Sequence, residues 1–149
     1  MERLRRAVLR LGRELRRTSA EEGLSPAQSS VLATLVRHGP MRAGELSAAE
    51  GLNPTMLSRV LAHLDERGLA VRAPDAADRR GTLVRATPAG RRLVRRLRAR
   101  HGGLLLGRLQ QLPEDQVRAI LAALPALEGL SSIAPRGEAA PAAAPVARP

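Results

Sequence analysis

Two clusters of side chains, most of them polar, stand where they could meet a ligand. Asn53, Thr55, Met56, Ser58, Arg59 and His63 fall within eleven residues, and Asp78, Arg79 and Arg80 are consecutive. Hydroxyls that donate or accept, and a guanidinium fork, are the groups that hydrogen-bond to base edges, and Arg59 suits a guanine edge. Neither cluster is built for catalysis. His38, His63 and His101 are isolated, with no HxxxH pair and no carboxylate at ligand spacing, so no metal or other cofactor is expected. The carboxylate pairs Glu21-Glu22, Asp65-Glu66 and Glu114-Asp115 lie at helix ends, where they favour capping and the helix dipole. No serine stands in a nucleophile elbow and no glycine-rich loop could cradle a phosphate. The residues describe a binder, not an enzyme.

The first cluster needs a helix to display it. Asn53 can accept a backbone hydrogen bond as N-cap, Pro54 follows at the first helical position, and Gly68 stops the helix in a left-handed conformation. Leu57, Val60, Leu61 and Leu64 then share one face. Thr55, Arg59 and Ala62 fall opposite, with Met56, Ser58 and His63 on the flanks. Residues 42–50 read as a shorter helix, and the turn at 50–52 contains Gly51, which together make a helix-turn-helix. Residues 69–72 and 82–86 read as two short strands around the arginine-tipped turn at 74–81, a wing.

This order of elements and the segment HLDERGLAVRAPDAADRRGTLVRATPAG, residues 63–90, resemble the MarR family of winged-helix transcription regulators. The likeness covers about residues 4–130. Its specific part is the LDERGL…R.PD..DRR…TPAG signature; a helix-turn-helix alone would be a weak signal. The resemblance implies that Asp78 pairs with Arg79 or Arg80 and holds it for DNA, the arginine entering a narrow minor groove from the wing. It also implies a small anionic or phenolic ligand, bound where the winged helix joins the dimer helices. Arg13, Arg16 and Arg17 near that junction would suit an anion.

The composition agrees with a polyanion partner. The chain has 149 residues, 25 basic against 14 acidic, a net charge of +11 with arginine and no lysine. Coding bias explains the choice of arginine but not the charge, and double-stranded DNA is the favoured partner over a membrane surface. Between residues 53 and 101 stand twelve arginines and four acids. There is no cysteine, so no disulfide and no thiol redox sensor, and no Phe, Tyr or Trp on which single-stranded bases could stack. No apolar run is long enough to span a bilayer and MERLRRAVLR has no signal-peptide core, so the chain is expected to be cytoplasmic, with no membrane partner.

The fold class expected is mainly α with a small β-hairpin wing: a winged helix-turn-helix flanked by N- and C-terminal dimerisation helices. The winged-helix domain is placed at residues 1–130, with the DNA-binding core at about 40–90, and a disordered Pro/Ala-rich tail at 131–149. Leu4, Val8, Leu11 and Leu15 mark a first amphipathic helix, and Ser25-Pro26-Ala27-Gln28 a capping box opening the second. Thr87-Pro88 caps a long helix weakened at Gly102-Gly103, and residues 113–115 start a last one that Pro125 should kink or shorten. The outer helices, about 3–20 and 104–130, carry more leucine than one winged helix can cover, which points to a homodimer. The expectation is a homodimeric, sequence-specific regulator, a ligand-relieved repressor on an inverted-repeat operator. Its rival is a basic architectural protein that coats DNA without choosing sequences.

Overall fold

With no aromatic ring available, aliphatic side chains must fill the interior. Leu32, Leu46, Leu64 and Val31 are completely buried, and Leu24, Leu35, Leu57 and Val84 nearly so. The computed structural model describes residues 1–74 and 82–132, in two units, one of Met1–Leu106 and a second that begins at Gly107.

The first unit begins with α1 (Glu2–Glu21) and α2 (Pro26–His38). The capping box of α2 forms as the sequence predicts: the Gln28 amide donates to Ser25 Oγ at 3.3 Å, and the Ser25 amide to Gln28 Oε1 at 2.8 Å. A short strand β1 (Met41–Arg42) follows, then α3 (Ala43–Glu50) and α4 (Pro54–Glu66). The sequence predicts a helical Arg42. It is instead extended, because Met41 and Arg42 pair with Val84 and Leu83, and the Arg42 amide donates to Glu45 Oε2 at 2.9 Å. A two-residue strand leaves no periodicity to read.

Strands β2 (Ala70–Pro74) and β3 (Thr82–Ala86) form the wing, antiparallel from Ala70↔Ala86 to Pro74↔Thr82. The three strands lie in the order β1-β3-β2. β2 runs two residues beyond the predicted end at 72. Helix α5 (Pro88–Leu109) then starts on Thr87, whose Oγ1 accepts from the Gly90 amide at 3.1 Å. Gly102 and Gly103 do not interrupt it; a helix costs only about 1 kcal/mol per glycine and the flanking leucines and arginines favour it.

The second unit contains α6 (Glu114–Ser132), and Pro125 lies within it without shortening it. Residues 131 and 132, expected in the tail, are helical; the rest of the expected disordered tail lies outside the described residues. Ile120, Leu121, Leu124, Leu127 and Leu130 of α6 remain exposed, as do Leu4, Val8, Leu9 and Leu11 of α1. The architecture is the mainly helical winged helix-turn-helix expected, with β1 as a third strand added to the hairpin.

Candidate nucleic-acid interface

Helix α4 is held from behind and open in front. Leu57, Val60, Leu61 and Leu64 enter the core, as their spacing predicts, while Thr55, Met56, Ser58 and Arg59 are exposed. Met56, at 51% exposure, is a large apolar side chain given to solvent at the start of the helix. Asn53 caps the helix: its Oδ1 accepts from the Met56 amide at 2.8 Å. Its carbonyl oxygen is therefore engaged in local structure, which leaves the amide nitrogen for other partners. His63 is half-buried and sits two turns beyond Thr55, about 12 Å along the axis, so it lies behind the leading residues.

The turn before α4 sets its angle to α3. Gly51 takes a left-handed φ of 62°, the Leu52 amide donates to the Ser47 carbonyl at 3.1 Å, and the Ser47 hydroxyl donates to the Leu52 carbonyl. The far end is fixed by Gly68, also at φ 62°, and by Arg67, whose guanidinium donates to the Gly23 and Glu22 carbonyls at 2.6 and 2.9 Å.

Arg72 escaped the sequence reading. It pairs across the wing with the buried Val84, so both side chains lie on the sheet face turned to the helices. There it borders an open groove of about 270 Å³ together with Gly44 and Ser47 of α3 and Pro54 and Ser58 of α4. Ser58 thus faces the wing side of the helix, apart from Thr55 and Arg59. Only the strand register reveals this, and register is not legible from one strand's sequence. Asp78, Arg79 and Arg80, the expected wing-tip cluster, lie outside the described residues.

A second opening of about 270 Å³ lies between α1, α2 and α5, lined among others by Arg16, Ser19, Ser29, Leu97, Arg98 and His101. The His101 Nε2–H donates to the Leu15 carbonyl at 3.1 Å across it. Of the three arginines expected near this junction, Arg16 lines the opening and Arg13 and Arg17 do not; Arg98 is the second guanidinium there. Among the described residues no group of three His, Asp or Glu side chains could hold a metal ion, and no helix is long and apolar enough to cross a membrane.

Known proteins share this arrangement. The sequence model described as MarR family matches residues 22–81. An uncharacterised HTH-type transcriptional regulator of Mycobacterium leprae is 35% identical over 110 residues, 74% of this chain and 77% of the relative. Among solved structures, a transcriptional regulator of Thermotoga maritima superposes with a TM-score of 0.71 at 27% identity, covering 87% of this chain and 91% of that one. A mutant of MepR from Staphylococcus aureus bound to an oligodeoxyribonucleotide has the same fold, with a TM-score of 0.69 at 20% identity over 88% and 95% of the two chains. The family is one of regulators, not enzymes. The chain belongs to the MarR family of winged helix-turn-helix transcriptional regulators.

Proposed function

We propose that this regulator acts as a homodimeric, ligand-relieved repressor that reads an inverted-repeat operator in double-stranded DNA. The observation that carries the reading is α4 itself: four aliphatic side chains fix it in the core while Thr55, Met56 and Arg59 stand free on its leading turns. In the major groove Arg59 takes a guanine edge, the hydroxyls of Thr55 and Ser58 reach base edges or phosphates, and the Met56 thioether suits a thymine methyl. Asn53 and His63 flank this surface. From the wing, Arg79 or Arg80, steadied by Asp78, enters the minor groove. The strand backbone between those two grooves must pass between α4 and the wing, where Arg72 stands beside Ser47 and Ser58, so Arg72 holds a phosphate there. Such a regulator of chromosomal genes works in the cytoplasm.

Relief of repression is assigned to the opening between α1, α2 and α5. Arg16 and Arg98 give it two cations over an apolar floor, which fits a small aromatic carboxylate or phenolate. A ligand there changes the spacing of the two reading heads only if it binds the DNA-incompetent arrangement more tightly. Oxidation has no thiol to act on, since the chain lacks cysteine. The test is binding to specific and scrambled duplexes in the same salt, followed by titration of the complex with aromatic carboxylates and with mild peroxide. Equal binding to both duplexes would favour the DNA-coating rival. Release by peroxide alone would overturn the ligand reading.

A further inference from the structure

Helix α1 carries a row of cations that the reading head does not use. Arg3, Arg6, Arg10, Arg13 and Arg17 alternate by three and four residues, and all five are exposed. At 100° per residue they stay within about 40° of one line, and the row is about 21 Å long. The apolar stripe of Leu4, Val8, Leu11 and Leu15 lies about 150° away around the same helix. Arg3, Arg6 and Arg10 frame a shallow depression of about 370 Å³ over Ala7. Glu2 pairs with Arg6 at 3.6 Å and Glu21 with Arg17 at 3.9 Å. Exposed pairs of this kind are worth little and yield to a stronger anion.

The anchored, C-terminal end of α1 stands away from the bases. The α1–α2 turn, at Glu22 and Gly23, is gripped by Arg67, which lies about 18 Å along α4 from Thr55. Arg100 of α5 holds the same turn through Glu21 Oε2 at 2.7 Å and Glu22 Oε1 at 3.2 Å. A duplex read by Thr55 and Arg59 is therefore at the opposite end of the helix from the point where α1 is anchored.

We propose that this arginine row is a second, sequence-indifferent binding site for double-stranded DNA, so that one operator-bound dimer can hold another duplex segment. This rests on the reading of the chain as a DNA-binding dimer. The choice of partner follows from the helix. A straight, regularly spaced row of guanidinium groups matches the regular phosphates of a duplex, which carries one charge per about 1.7 Å of axis. A membrane would need the apolar stripe of α1 for insertion, and the dimer takes that stripe.

The test saturates the dimer with an excess of immobilised operator and then adds a labelled duplex of unrelated sequence. The wild-type protein should retain the second duplex. Retention should fall with salt along a log–log slope of about −2.7 to −4.5, for three to five neutralised phosphates. A variant with all five arginines replaced by Gln, a good helix former, should bind operator with unchanged affinity and retain at least tenfold less second duplex. The five-fold Lys variant should restore retention, since the charge is kept. No retention by the wild type at low salt, or equal retention by the Gln variant, overturns the proposal. So does equal, arginine-dependent capture of anionic vesicles or an acidic peptide in place of duplex. Failure to bind operator appears in the first step, and overturns the repressor reading instead.

Discussion

At the scale of the residue, the proposed function gives Arg59 and Arg72 different work, and substitution separates them. Arg59, exposed on the leading turns of α4, has the fork that suits a guanine. Arg59→Ala should relax base preference at one position in each half-site, at a cost of about 1–3 kcal/mol measured by competition among operator variants. Arg72 stands beside a groove and not on the reading face. Arg72→Gln should weaken every sequence alike and reduce the salt slope by about 1. Opposite outcomes for the two would reverse the roles assigned here. The sequence made Arg59 legible because a helical period, once Leu57, Val60, Leu61 and Leu64 are taken as core, leaves one direction for it to point. Arg72 was not legible. Its direction depends on standing opposite Val84, which is a property of two strands and their register.

At the scale of the element, the wing is joined to α5 by a close approach that one glycine permits. The Thr87 amide donates to the Leu69 carbonyl at 3.0 Å and its hydroxyl to the Gly68 carbonyl at 2.6 Å. A Cβ on Gly90 would stand 2.1 Å from the Leu69 carbonyl oxygen. Gly90→Ala must push α5 off the base of the wing, at a cost of about 1–3 kcal/mol for overpacking. Thermal unfolding should shift down by several degrees, and operator affinity should fall with it as the wing is displaced. Gly102 and Gly103 behave oppositely. A Cβ on either meets nothing within 4 Å, so alanine there should stabilise α5 by roughly 0.5–1 kcal/mol each. Unchanged stability in Gly90→Ala would mean that the wing and α5 move together without strain. The helix starts were the most legible feature of the fold, because Ser25, Asn53 and Thr87 each cap with their own side chains. The misreadings fell where a local signal competes with context. Arg42 is drawn into a strand by β3, and Pro125 is accommodated inside α6 without shortening it.

At the scale of the whole molecule, the leucines left outside the core call for a partner. Leu11 of α1 is 38% exposed and Leu121 of α6 52% exposed, whereas Leu32 in the heart of the winged helix is fully buried. These three positions make a graded test of assembly. Leu32→Arg places an unpaired charge in the core and should unfold the protein, because the desolvation cost exceeds its marginal stability. Leu121→Arg leaves the charge in water in a single protomer, so folding should survive, and the charge becomes costly only where a second copy covers it. Sedimentation at micromolar concentration should therefore show a dimer for the wild type and a folded monomer for Leu121→Arg, with Leu11→Arg weakened in the same direction. Operator binding supplies the second readout. A dimer aligned on an inverted repeat engages two half-sites roughly 34–36 Å apart, while a monomer engages one, so the monomeric variant should lose its advantage for the full operator over a half-site. A wild-type monomer at that concentration, or a Leu121→Arg protein that still prefers the two-half-site operator, would show that the exposed leucines of α1 and α6 serve something other than self-association.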